Sequence, residues 1–151
     1  MKKPPFAIAL AAALSLSGQV HSSEEDERYN VQVHKSPTCG CCDDWVKHME
    51  DNGFDVQVTE TNNLNPIKIE AGLTPALASC HTARVGDYVI EGHVPASDVR
   101  RLLANAPMAA GLAVPGMPAG SPGMEMGDRR ERYQVLLFNE QGQTRVFSEH
   151  N

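Results

Sequence analysis

Tyr29-Asn30-Val31-Gln32-Val33-His34-Lys35-Ser36-Pro37-Thr38-Cys39-Gly40-Cys41-Cys42-Asp43-Asp44-Trp45-Val46-Lys47-His48-Met49 changes its period halfway along. Val31 and Val33 alternate with Gln32 and His34, the two-residue repeat of a strand. Ser36-Pro37-Thr38 breaks that repeat and delivers three cysteines within four residues. From Cys42 the spacing turns helical, with Trp45, Val46 and Met49 as an apolar stripe, Asp43 and Asp44 in the first turn, and Gly53 as the stop. A strand running through a cysteine loop into a helix predicts an α/β fold with the sulfurs at the helix start. There the unpaired N–H groups and the helix dipole favour thiolate over thiol, although Asp43 and Asp44 oppose this unless a cation offsets them.

Outward from this stretch the alternation continues. Phe54, Val56 and Val58 give a second strand, and Asn65-Pro66 through Gly72 a short helix with proline in its first turn. Gly86-Asp87 reads as a two-residue hairpin turn, which puts Val85 opposite Tyr88, Ala83 opposite Ile90 and Thr82 opposite Glu91. Carried further, this register sets Cys80 opposite His93, with β-carbons roughly 5 Å apart, and turns His81 the other way, toward Gly92. Pro95 to Asn105 has a helical stripe of Val99, Leu102 and Leu103. Gly111 to Gly127 is rich in glycine, proline and methionine and predicts neither helix nor strand. Tyr133 to Phe138 and Thr144 to Phe147 predict a terminal β-hairpin.

The ends and the composition bound the function. Met1-Lys2-Lys3, the apolar run Phe6 to Ser17 and Val20-His21-Ser22 have the layout of a cleaved secretory signal. That apolar run is too short for a membrane span, which needs roughly 20 residues. Losing residues 1–22 removes two lysines and no acid and moves the formal charge from −6 to −8, which argues against nucleic acid as a partner. No membrane anchor is expected in the mature chain. Export favours disulfides, and four cysteines allow two, but the clustering of three of them makes two bridges awkward.

Three chemistries fit these residues. Cys39 and Cys42 have the spacing of a redox dithiol, in which Cys39 attacks and Cys42 resolves. Cys39, Cys41, Cys42 and Cys80 with His93, and Met117, Met124 and Met126 from the glycine-proline loop, form a soft donor list suited to Cu(I). Sulfurs this close can bridge several ions. The third reading is an inert disulfide-stabilised module. His21, His48 and His150 read as surface or leader residues, and Met49 and Met108 as core filling.

Cys39-Gly40-Cys41-Cys42, Ser79-Cys80-His81-Thr82, Gly92-His93-Val94-Pro95 and Pro115-Gly116-Met117-Pro118 through Gly123-Met124-Glu125 together resemble the CopG family of exported bacterial copper-resistance proteins. The resemblance covers roughly Val31 to Met126. It implies a thioredoxin-like domain with a metal-binding extension and a cysteine-bridged copper cluster beside the C-x-C-C motif. It also implies interconversion of Cu(I) and Cu(II), for detoxification or for handover to a copper efflux system or periplasmic carrier. The expected layout is a signal peptide at 1–22, a leader at 23–30 and a thioredoxin-like domain at 31–107. A Met/Gly/Pro-rich metal-binding loop follows at 108–128, and a C-terminal β-hairpin at 129–151.

Overall fold

The computed structural model describes residues 29–151. The expected signal segment and His21 lie outside the described residues.

The alternating valines of the first strand place it inside a mixed α/β sheet, one position from the edge. Among the described residues there are three helices and one seven-stranded sheet of order β2-β1-β3-β4-β5-β6-β7. Strand β1 (Asn30–Lys35) leads into α1 (Gly40–Asp51) and returns parallel to itself as β2 (Asp55–Glu60). After the short α2 (Asn65–Glu70), β3 (His81–Val85) and β4 (Tyr88–Glu91) form the hairpin, with β3 antiparallel to β1. Helix α3 (Ala96–Asn105) crosses to β5 (Gly111–Ala113), parallel to β4. Finally β6 (Tyr133–Phe138) and β7 (Thr144–His150) extend the sheet antiparallel, with a bulge at Val135/Leu136.

The sheet buries both faces. On one, Val31, Val33, Ala83, Val85, Ile90 and Leu112 pack against Trp45, Val46 and Met49 of α1 and Val99, Leu102 and Leu103 of α3. On the other, Val89, Ala113 and Phe138 pack against Ala71, Leu73 and Leu77, the segment that follows α2. The Gly86-Asp87 hairpin has the register expected of it: Val85 faces Tyr88, Ala83 faces Ile90 and Thr82 faces Glu91.

Strand β5 is a departure, because no strand was expected between Pro107 and Tyr133. Three residues are too few to display a period, and what makes Gly111-Leu112-Ala113 a strand is its fit in the slot between β4 and β6. Leu112 is wholly buried, and a β-carbon at Gly111 would collide with the Val89 backbone.

Candidate metal centre

The centre lies where β1, β3, β4 and the loop after β5 meet the first turn of α1. Helix α1 starts at Gly40, two residues before the periodicity suggests, so Cys41 and Cys42 both belong to its first turn. Cys42 points into the core beside Trp45, whose indole N–H donates to Val94 O at 2.9 Å and ties α1 to the end of the β3–β4 hairpin. Cys39 and Cys42 are joined in a disulfide, and Cys41 and Cys80 are free thiols. The Sγ atoms of Cys39, Cys41, Cys42 and Cys80 all lie within 4.8 Å of one another, with Cys41 Sγ 3.6 Å from Cys39 Sγ.

The alternation of β1 also buries Lys35 beneath this turn. Its ammonium bonds to Asp43 at 2.9 Å and Glu60 at 3.3 Å, and the Asp43 hydrogen bond foremost raises its pKa. Lys35 is thus the cation that offsets an aspartate placed beside the thiols.

Cys80 connects the sulfur cluster to two imidazoles. His93 Nε2 is 3.0 Å from its Sγ and His81 Nδ1 is 3.3 Å away, so Cys80, His81 and His93 form a second converging group. The backbone sets the protonation of His93. Its Nδ1 lies 2.8 Å from the Pro122 carbonyl, which can only accept, so Nδ1 carries the proton and Nε2 offers its lone pair to Cys80. Burial lowers the pKa of His93, and burial followed by His93 and Lys68 holds His81 well below the ordinary histidine value. The Cys80 thiol is pushed up to about 12, chiefly by burial and then by neighbouring Cys41. The resting centre is therefore neutral around Cys80, with S–H donating to the His93 nitrogen. A cation that binds here displaces that proton.

The hairpin register turns His81 the other way from Cys80 and His93. Its ring lies edge-on to His93 at 5.1 Å and its Nε2 makes no hydrogen bond. The alternation holds at position 81, which pairs with Lys35 of β1 and lies with Ala83 and Val85 on the α1 face, its ring 4.4 Å from that of Trp45. Beyond Thr82–Glu91, where Gly92 takes a φ of +70°, it is Cys80 and His93 that leave the strand pattern and meet it. The Gly92-His93-Val94 turn was the signal for this.

The chain before Cys80 rests on a buried acid that the sequence reading did not single out. Glu91 is fully buried, pairs with the Lys68 ammonium, and accepts from Ser79 N–H at 2.6 Å and Thr82 Oγ1 at 2.7 Å. Burial outweighs these partners and raises the Glu91 pKa. On its other side Ser79 Oγ donates to Gly116 O at 2.5 Å, which binds the cysteine segment to the methionine loop.

That loop is held by its own turns, including Gly120 N–H to Met124 O and Met124 N–H to Ser121 O, both 2.8 Å. Gly123 packs flat on α1, where an added β-carbon would lie 2.7 Å from Cys41 O and from Trp45 N. Met124 is half-buried beside this contact, while Met117 and Met126 are 53% and 56% exposed. Two histidines expected at the surface are structural. His48 Nε2 accepts the Ala96 N–H at 3.0 Å, and His150 bonds to buried Asp98 at 2.7 Å and stacks on Tyr133. Helix ends and strand edges supplied partners that periodicity does not reveal.

The fold and centre define a class: an α/β protein with a sulfur–imidazole donor set gathered at one end of its sheet. A family profile described as "Protein of unknown function, DUF411" matches residues 77–124, from the segment before Cys80 through the methionine loop. Similar solved structures include "Copper resistance protein copG- Form 1", 43% identical with a TM-score of 0.77, covering 82% of this chain and 98% of that one. A second form of that protein matches with the same identity and TM-score, over 81% and 98% of the respective chains. A search of curated proteins found no match. The chain belongs to the CopG family of copper resistance proteins.

Proposed function

We propose that this protein is a periplasmic copper-handling protein. When reduced, Cys39, Cys41 and Cys42 bridge several copper ions as thiolates, Cys80 and His93 complete the site, and Met117, Met124 and Met126 close over it. The observation that carries this reading is the convergence of four sulfurs within 4.8 Å, joined through Cys80 to an imidazole whose free nitrogen faces it. Such a set is soft with a borderline edge, which suits copper passing between Cu(I) and Cu(II). Copper is cargo here, for detoxification or for delivery to an efflux system or periplasmic carrier. The order β1-α1-β2 followed by a hairpin, with the cysteine motif at the first helix, supports reading residues 31–107 as a thioredoxin-like domain. The loop 108–128 and the hairpin 129–151 are then its extensions. Among the described residues no helix is long and apolar enough to cross a membrane.

The test is anaerobic native mass spectrometry of the reduced chain titrated with Cu(I), with free thiols counted at each step. Uptake of several ions with loss of reactive thiols is expected; no uptake would remove copper from the account. Replacing Met117, Met124 and Met126 together is expected to weaken Cu(I) binding at least tenfold without unfolding the chain, and unchanged affinity would exclude the loop from the site.

One observation favours a second reading, a thiol–disulfide oxidoreductase: the bond joins the outer pair of the motif, Cys39 and Cys42. In that case Cys41→Ser retains insulin-reducing activity and Cu(I) uptake is negligible.

A further inference from the structure

Lys35 occupies a position that the core would ordinarily give to a hydrophobe. It follows Val31 and Val33 on the buried face of β1, and only 2% of it is exposed. At the end of the strand its ammonium meets three oxygens: Asp43 at 2.9 Å, Ser36 O at 3.2 Å and Glu60 at 3.3 Å. Both carboxylates stand largely in water, 60% and 54% exposed, so neither depends on a covered cation. A methionine at 35 would strand no buried charge and would remove the cost of desolvating the lysine. Stability therefore does not call for a lysine here, and what it holds points to another role. Asp43 stands one helical turn after Cys39, its N–H donating to Cys39 O at 3.3 Å, and residues so spaced have β-carbons roughly 5–6 Å apart. The ion pair aims its carboxylate at the ends of β1 and β2, and it does not belong to the group of four sulfurs that lie within 4.8 Å of one another.

We infer that Lys35 is a specificity-determining residue: it holds the Asp43 carboxylate off the cysteine turn and sets a positive charge beside it, and so favours monovalent Cu(I) over divalent ions such as Zn(II). The inference rests on the copper reading above and adds what the centre rejects and by which side chain. Rejection needs a device, because Cys80, His81 and His93 already converge as a thiol–imidazole set of the kind zinc accepts. Two effects act with the same sign. A carboxylate oxygen adds little to Cu(I), which prefers sulfur, but it is an ordinary zinc ligand beside thiolate and imidazole. A fixed cation also repels a divalent ion twice as strongly as a monovalent one at the same distance. Without Lys35 the positive charge is gone and Asp43, one turn from Cys39, is free to swing toward the sulfurs. Both changes favour zinc.

The experiment uses the purified chain, reduced and kept under argon. Zn(II) affinity is read by competition with 4-(2-pyridylazo)resorcinol and Cu(I) affinity by competition with bicinchoninate, for the parent, Lys35→Met, Asp43→Asn and the double variant. Lys35→Met should bind Zn(II) about tenfold more tightly, the order of effect of one unit charge a helical turn away, with Cu(I) affinity changed far less. The double variant should return to the parent Zn(II) affinity, since it lacks the carboxylate along with the cation. Unchanged Zn(II) affinity in Lys35→Met, or an equal gain for Cu(I), would overturn the inference. So would a gain retained in the double variant, which is what altered packing at position 35 would produce. If Lys35→Met does not fold, Asp43→Asn at its exposed site carries the test. It leaves the lysine charge less balanced and should lower Zn(II) affinity while sparing Cu(I); parent affinity for Zn(II) would overturn the inference. Cu(I) titration of the parent separates the two failures: uptake with no effect of these variants on Zn(II) sinks only this inference, and absence of uptake sinks the copper reading itself.

Discussion

Glu91 carries its charge where water cannot reach it, and what it gains is the position of its neighbours. Removing one member of a buried ion pair leaves the other uncompensated, so Glu91→Gln, which strands Lys68, should cost about 3 kcal/mol in urea unfolding. Replacing both at once, Lys68→Met with Glu91→Leu, should restore most of that stability, because burial opposes the carboxylate even with its partners present. Cu(I) affinity should stay low in the double variant, since Ser79 N–H then has no acceptor to fix the segment that presents Cys80. Recovery of affinity together with stability would show that the pair has no role in placing Cys80. None of this was legible in the sequence. Glu91 reads there as one more polar residue of a hairpin, and its burial follows from α2 laying Lys68 against that face of the sheet.

The elements were legible where their period was sustained. The alternating valines of β1, the stripe of α1 and the Gly86-Asp87 turn each declared their structure, and the turn also fixed the pairing that brings Cys80 to His93. Strand β5 was not legible, because its residues are chosen for a close fit between neighbours and not for a pattern of their own. The methionine loop also hides its main contact, the seating of Gly123 on α1. Gly123→Ala meets two penalties, a φ of +82° and backbone atoms of Cys41 and Trp45 in the place of its methyl group. A loss of roughly 1–3 kcal/mol in unfolding free energy, measured by urea denaturation, is expected. The loop should also lift, drawing Pro122 O off His93 and weakening Cu(I) binding. Wild-type stability in Gly123→Ala would mean that the loop does not rest on the helix.

At the scale of the whole molecule, α1 and α3 are linked through a titrating side chain. His48 caps the start of α3 only when neutral, and burial lowers its pKa, although Glu125 and Asp51 pull the other way. The unfolded chain therefore takes up this proton at a higher pH than the folded one. Stability is full above the ordinary histidine pKa, falls as pH drops below it, and levels off beneath the lowered folded value. The slope in that window is at most about 1.4 kcal/mol per pH unit for this group. His48→Gln keeps an acceptor without the titration and should flatten that part of a pH–stability profile measured by thermal unfolding. An unchanged slope would assign the acid sensitivity elsewhere.

The bond between Cys39 and Cys42 spans a sequence separation of only three residues. A cross-link this short restricts the unfolded chain less than a longer one would. Loop-closure entropy assigns it about 2 kcal/mol, against roughly 3 for a fifteen-residue loop. Breaking the bond therefore gives up less stability than breaking a longer-range bridge would, yet about 2 kcal/mol is still a sizeable share of what holds a domain folded. A staple placed to hold a small exported domain together would have joined distant parts of the chain.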